Sequence, residues 1–193
     1  PGTFLTGSNM INIAGQCSFL AIASIGSMLA IITGGIDLSV GGIMCFSGVV
    51  AAVLSKGGMP MIAVVPIALL AGTAAGVVNG LIIAKNNVAP FIITLAMWNI
   101  TESLALVVAK GATVSVNTEE FRLLGSGELG FLPYCVIIAA VVYTIFHVIT
   151  RNTRMGTYIY AIGGNEAAAN LTGINVAKSK FLVYPFSGLT AAL

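Results

Sequence analysis

Charged residues are scarce in this chain of 193 residues: Asp, Glu, Lys and Arg make up 7% of the positions, and hydrophobic residues make up 58%. An ordinary soluble domain has about 25% charged residues. So few charges cannot cover the surface of a soluble protein. The net charge of +2 comes from scattered basic residues, which give no basic patch of the kind that binds nucleic acid.

Several long stretches contain no charged residue at all, and most of them match or exceed the ~20 apolar residues that cross a bilayer as a helix. They are residues 1–36, 57–84, 86–101, 129–150 and 181–193. Stretches such as Cys135 to Phe146 are apolar at consecutive positions. They have neither the polar stripe of a soluble helix nor the alternation of a barrel strand. The sequence therefore predicts an all-α, polytopic integral membrane helical bundle.

The chain also lacks the residues of familiar catalytic sites. Its single histidine excludes HExxH and multi-histidine metal sites, and no Gly-Lys dipeptide completes a phosphate-binding GxxxxGK[ST] loop. Cys17, Cys45 and Cys135 stand singly in apolar runs and are interpreted as small buried hydrophobes. We therefore expect no catalytic residue, metal or bound cofactor in this chain and do not expect it to be an enzyme. An ATP-driven process would need a separate ATPase chain.

The apolar runs predict membrane spans at residues 10–33, 38–55, 60–84, 88–109 and 129–150, with a sixth beginning near Phe181. The chain begins at Pro1 and stops at Leu193 within an apolar run. We therefore expect residues 1–193 to be a single transmembrane domain, truncated at both ends, with about six spans. No basic region precedes the first run, so it is not interpreted as a signal peptide.

The basic residues predict the orientation, because cytoplasmic loops are enriched in Lys and Arg. Residues 151–180 hold four basic residues and one acid, whereas residues 110–128 hold two basic residues and three acids. The first segment is predicted to be cytoplasmic and the second external. Alternation then places Lys85 inside, Lys56 outside and Gly34–Gly42 at or near the inner side, unless its glycines break a helix within the membrane.

The external segment from Asn117 to Gly125 predicts a short helix. Thr118 would be its N-cap, two acids occupy the first turn, and Gly125 would end it. This helix would be either a docking surface on the outer face or an ordinary amphipathic connector.

Three glycines predict close helix packing in the third span. Gly72, Gly76 and Gly80 recur every four residues on one helical face, where another helix can approach closely. Asn79 beside them would either hydrogen-bond to another helix or line a pore.

Polar residues within the spans are functional candidates because they are costly in a membrane. Asp37, Glu102 and His147 are ionisable, but each also has an ordinary position near an interface, and a proton relay would need paired acids at depth. The candidates for a translocation path are polar groups in apolar helical surroundings, and any of them could instead hold helices together: Asp37, Ser39, Asn79, Thr94 and Asn99.

The cytoplasmic sequence YAIGGNEAAANLTGINV predicts a second short helix, of about two turns. Asn165 is a good N-cap, Glu166 suits the positive end of a helix, and Gly173 suits the C′ position. A nearly all-alanine face is small enough to seat in a groove of a partner, although such helices also occur as passive linkers. The candidate contact residues are Asn165, Glu166, Ala167, Ala168, Ala169 and Gly173.

Four stretches together resemble the permease subunits of the ribose, xylose and galactose branch of bacterial ABC importers. They are GGIDLSVGG from Gly34, AGVVNGLIIAKNNVAPFIITLAM from Ala75, YAIGGNEAAANLTGINV from Tyr160, and VYPFSGL from Val183. The chain departs from many members at Glu102-Ser103, where Arg-Gly is common, and at Gly156-Thr157, where Gly-Arg is common.

The resemblance implies a type II importer-like permease in the inner membrane of a bacterium, translocating a sugar or sugar-like solute. Its implied partners are a second permease subunit in a homodimer, two ATP-binding-cassette ATPase domains that use ATP and Mg²⁺, and an external solute-binding protein. The resemblance also makes residues 151–180 the coupling segment, with the Asn165–Gly173 helix seated on the ATPase.

Two other classes of function stay open from the residues. An ion-coupled secondary transporter would use no ATPase and would respond to loss of the proton or sodium gradient. A membrane scaffold would use its glycine-rich faces only to assemble other subunits and would carry no solute.

Overall fold

The computed structural model describes residues 4–86, 88–116 and 118–193, apart from the side chain of Leu124. The described part is almost entirely helical. In chain order its elements are α1 (Gly7–Ile32), α2 (Val40–Lys56), α3 (Met61–Asn86), α4 (Pro90–Val108), α5 (Glu119–Ser126), β1 (Glu128–Leu129), β2 (Leu132–Pro133), α6 (Tyr134–Asn152), α7 (Arg154–Gly164), α8 (Glu166–Leu171) and α9 (Val176–Ala192).

Every predicted span coincides with one of these helices, so the predicted helical membrane fold is confirmed. Helices α1, α3, α4 and α6 are long and apolar enough to cross a membrane. Helices α2 and α9 have 17 residues each. At 1.5 Å per residue, 17 residues reach roughly 25 Å, somewhat less than a typical hydrocarbon core.

Two span boundaries differ from the prediction. Helix α6 begins at Tyr134 rather than at 129, because the preceding residues form the antiparallel β1–β2 hairpin, in which Gly130 adopts φ +70°. Helix α9 begins at Val176 rather than near Phe181, because the Asn175 side chain caps its first turn. Apolar composition alone does not detect a polar first turn, so the sequence located this helix several residues too late.

The predicted external helix is present as α5 with Thr118 as its N-cap residue, as predicted, but its C-terminal end differs. Thr118 makes no capping hydrogen bond, and its hydroxyl instead lies 3.0 Å from the Ser55 hydroxyl at the end of α2. Gly125 lies inside the helix, which ends at Ser126 with Gly127 as the C-cap. The position of the N-cap was therefore predicted correctly, whereas the prediction that Gly125 ends the helix was wrong. The predicted first residue, Asn117, lies outside the described part of the chain.

Helix α9 lies at the centre of the bundle, packed most extensively on α3 and also against α1 and α2. The two helices are antiparallel: Gly80 faces Phe181, Gly76 faces Tyr184 and Gly72 faces Ala192. A Cβ on Gly80 would lie 2.6 Å from the Phe181 carbonyl oxygen, and a Cβ on Gly72 would lie 2.5 Å from the Ala192 Cβ. The helices approach this closely because these glycines have no side chains.

A core of large apolar side chains fills the end of the bundle near α7, where Phe146 and Phe186 meet edge to face with ring centroids 5.6 Å apart. Many other large apolar side chains point outward, among them Ile62 (85% exposed) and Val107 (72%). Such an outer surface suits lipid or partner helices and would aggregate in water.

Candidate functional site

The segment between α6 and α9 contains two short helices, of which only the second was predicted from the sequence. Helix α7 follows α6 after a sharp bend, at which the Thr153 side chain caps the Gly156 amide. A Cβ on Gly156 would overlap the backbone of Thr150. Ile159 and Ile162 are buried under α7. Both isoleucines belong to α7 and lie three residues apart on its buried face. This spacing, together with Thr153 as a possible N-cap, was visible in the sequence and could have revealed the helix.

The second helix, α8, was predicted correctly at both ends. The Asn165 carboxamide oxygen accepts a hydrogen bond of 2.9 Å from the Ala168 amide. Gly173 follows the C-cap residue Thr172 and adopts φ +86°, the left-handed conformation that ends many helices. With six residues, α8 is somewhat shorter than the predicted two turns. Strong signals at its two ends define this helix.

The N-cap provides a direct test of this local structure. In Asn165→Ala, the opening of α8 should become easier by about 1 kcal/mol, or roughly fivefold in its local opening equilibrium. Hydrogen exchange of the α8 amides in detergent measures this change. Asn175→Ala is the matched control, because Asn175 caps Lys178 at 2.9 Å in the same way, and it should speed exchange only at the start of α9. Unchanged α8 exchange in Asn165→Ala would show that the cap does not hold this helix.

Most of the predicted contact residues lie on the exposed side of α8. Asn165, Glu166, Ala167, Ala168 and Gly173 are exposed. Ala169 is only 4% exposed and faces the rest of the chain, so its methyl group does not contribute to that surface.

Sequence reasoning missed Leu171, whose side chain is 89% exposed at the end of α8. The sequence carried a signal for it, since Leu171 is the large apolar residue of an otherwise small helix. A leucine held in this position is a candidate anchor for a partner protein.

A salt bridge joins α8 to α9, and a groove lies between α8 and the α3–α4 connection. Lys180 on α9 donates to Glu166 at 2.7 Å, and this contact holds the start of α8 beside α9. A groove of about 1070 Å³ runs between α8 and the α3–α4 connection. It is lined by residues of both elements, including Ala84, Pro90, Ala167 and Asn170. The exposed face of α8 is therefore one wall of a groove at the end of the bundle where α3 ends.

Four of the five candidates for the translocation path are buried and hydrogen-bonded. Asp37 Oδ1 accepts bonds from the Ser39 amide at 2.9 Å and the Ser39 hydroxyl at 2.6 Å. The Ser39 hydroxyl in turn accepts a bond of 3.0 Å from the Asn79 carboxamide on α3. The Thr94 hydroxyl on α4 donates to the Ile36 carbonyl at 3.1 Å. These contacts hold the segment between α1 and α2 to α3 and α4.

The other polar candidates lie apart from this network. Asn99 is exposed, and its side chain donates a hydrogen bond within α4, to the Leu95 carbonyl at 2.9 Å. Glu102 and His147 are also exposed, and Glu102 lines a cavity of about 580 Å³ between α2 and α4. Among the described residues, no hydrogen bond joins Glu102 or His147 to Asp37. The structure does not bring these three ionisable residues into one chain of proton carriers.

The predicted inner and outer segments collect at opposite ends of the bundle. Gly34 and Gly35 share a cavity of about 290 Å³ with Gly163, Asn165 and Glu166, at the same end as the groove beside Ala84. The Ser55–Thr118 contact marks the other end. The direction of the bundle in the membrane stays a prediction from charge.

Comparison with known proteins gives one family over nearly the whole chain. The family model described as branched-chain amino acid transport system / permease component matches residues 9–193. The chain is 40% identical over 194 residues to the ribose import permease of Escherichia coli, covering 98% of this chain and 60% of that protein. It is 37% identical to the ribose import permease of Haemophilus influenzae, with the same coverage.

A further relative is the galactofuranose transporter permease of Escherichia coli, 37% identical over 95% of this chain and 54% of that protein. The chain thus spans about 60% or less of the length of these curated relatives. No solved structure matches it.

Proposed function

This chain belongs to the permease-component family of the branched-chain amino acid transport system, and on that premise we propose that it forms the membrane-spanning part of an ATP-driven importer for a sugar or sugar-like solute. The sugar is proposed because relatives matching over nearly all of the chain are named for ribose, galactofuranose and L-arabinose. The family description names branched-chain amino acids, so leucine is a second solute to be tested.

One observation carries the proposal: a short, capped and mostly exposed helix lies between α6 and α9. Helix α8 is capped at both ends and presents small side chains beside the exposed Leu171. We define the coupling surface as Asn165, Glu166, Ala167, Ala168, Leu171 and Gly173. Small residues allow close seating in a partner's groove, and burying one leucine contributes about 1.5–3 kcal/mol to binding.

In the proposed mechanism the chain moves as a body and performs no covalent chemistry. Two ATPase domains on the cytoplasmic side bind ATP and Mg²⁺, and their closure displaces α8. The permease, paired with a second permease subunit, then changes between outward-facing and inward-facing states. An external binding protein delivers the solute, and the assembly sits in the inner membrane of a bacterium. Asn99 is the residue that we propose to line the path, because it is exposed on α4.

Reconstitution of the full-length protein in vesicles, with its ATPase and binding protein, tests this function. We expect uptake of labelled ribose or a related sugar that requires ATP and Mg²⁺ and continues when ion gradients are dissipated. Uptake without the ATPase, driven by a proton or sodium gradient, would instead identify an ion-coupled carrier. Transport of leucine but of no sugar would support an ATP-driven importer and refute the proposal that its solute is a sugar. If no solute is transported under any condition, the result would refute the importer and favour a membrane scaffold.

A further inference from the structure

The non-helical segment 33–39, here called the α1–α2 link, lies between the coupling surface and two membrane helices. On one side it touches the α7–α8 junction. Ile32 is the last residue of α1 and directly precedes the link. Its carbonyl approaches Gly163 so closely that a Cβ on Gly163 would overlap it. Gly35 in turn lies against the Tyr184 hydroxyl and Pro90, at 2.8 and 3.3 Å from the position of a Cβ.

On its other side the link is bonded to the membrane helices through two different contacts. Asp37 and Ser39 connect it to Asn79 on α3, and its Ile36 carbonyl accepts a bond from Thr94 on α4. Asp37, Ser39, Asn79 and Thr94 are all less than 9% exposed. A close-packed, hydrogen-bonded contact of this kind transmits a displacement, because its side chains have no free space in which to absorb it.

Two features of this contact would allow it to rearrange. Beside the contact between Ile32 and Gly163, a cavity of about 290 Å³ lies between Gly34 and Gly35 of the link and Asn165 and Glu166, which leaves α8 room to move toward the link. The Asn79 carboxamide oxygen is buried and has no hydrogen-bond partner among the described residues. An unsatisfied buried acceptor favours any alternative state in which it finds a donor.

We propose that the α1–α2 link transmits movement of α8 to α3 and α4, and that Thr94, Ser39 and Asn79 are its positioning residues. This inference rests on the proposed function. Movement of α8 displaces Gly163 against Ile32, and the link carries the displacement to α4 through the Thr94–Ile36 bond. Loss of that bond leaves the docking of the ATPase intact and separates ATP hydrolysis from solute uptake.

Two buried threonines of α4 give a matched test in the complete importer. Thr94 bonds to Ile36 in the link and to Phe91 within α4, whereas Thr101 bonds, among the described residues, only within α4, to Met97 and Trp98. Valine preserves the shape of both side chains. In Thr94→Val, sugar taken up per ATP hydrolysed should fall by roughly tenfold, a typical allosteric coupling, with normal ATPase co-purification. In Thr101→Val this ratio should stay unchanged.

Equal ratios in the two variants would overturn the inference, because a purely structural role lowers protein yield without changing uptake per ATP. If Thr94→Val does not accumulate in the membrane, Ser39→Ala replaces it, and sugar taken up per ATP hydrolysed is again the measured ratio. Ser47→Ala is then the control, since the Ser47 hydroxyl bonds within α2, to the Met44 carbonyl. Failure of the wild-type protein to bind any ATPase would refute the proposed function itself, and that result differs from equal ratios in working importers.

Discussion

Replacing Ala168 with arginine is expected to abolish both ATPase binding and sugar uptake while the protein still inserts in the membrane. Ala168 is exposed, so the larger side chain meets no clash within this chain. In the proposed complex, however, it would place an unpaired charge and a long side chain inside a close interface. Burying an unpaired charge costs several kcal/mol, and each 1.4 kcal/mol is about tenfold in affinity. Binding should therefore weaken by at least about a hundredfold.

The measurement is co-purification of the ATPase with the full-length protein from detergent-solubilised membranes. Ala112→Arg is the control, because Ala112 is also an exposed alanine but follows α4 at the opposite end of the bundle. It should co-purify the ATPase as the wild type does. Normal ATPase binding and uptake by Ala168→Arg would refute the assignment of the coupling surface.

Replacing Gly76 should disrupt the whole bundle, because its backbone touches the central helix. A Cβ at this position would overlap the Tyr184 carbonyl of α9, so even alanine forces the two helices apart. Overpacking of this kind costs about 1–3 kcal/mol, and each kcal/mol lowers Tm by roughly 2–4 °C in a chain of this size. Gly76→Leu adds three more carbon atoms to the same contact and is expected to leave no folded protein.

Gly48 provides the control, since it also lies within a helix but a Cβ there would meet nothing within 4 Å. Gly48→Ala should leave Tm unchanged or raise it slightly, because alanine favours helix over glycine. Size-exclusion profiles and thermal melting of the detergent-purified protein distinguish the variants. A Gly76→Leu variant that is monodisperse with wild-type Tm would show that α3 and α9 do not pack as described.

Local signals in the sequence were sufficient wherever a feature depends on neighbouring residues. Asn165 and Gly173 predicted both ends of α8 correctly because caps act within one turn of their own helix. At Thr118 the same reasoning placed the N-cap correctly, but the side chain makes no capping bond, because its hydroxyl contacts Ser55, 63 residues earlier in the chain. A capping residue bonds to its own helix only when no distant partner competes for it.

The polar residues of the membrane region show most clearly what local sequence signals cannot predict. Asp37, Ser39, Asn79 and Thr94 were candidates for a solute path, with helix contacts as the alternative. The structure buries all four: Asp37 and Ser39 lie in the α1–α2 link, and Asn79 and Thr94 bond to it through two separate contacts. Helical periodicity puts Thr94 and Asn99 on different faces of α4, but it does not say which face other helices cover, and only the structure shows that Asn99 is the exposed one.

The sequence by itself determined that this is a helical membrane protein, roughly where its spans lie, and where a short helix projects between two of them. Charge-free length and capping residues decide these properties, and both act over a few turns of a single helix. Only the tertiary structure decided that α9 lies at the centre, that Ala169 faces inward, and that the polar candidates hold the α1–α2 link. These depend on which distant helix approaches each face, and that choice is made by the packing of all the helices together.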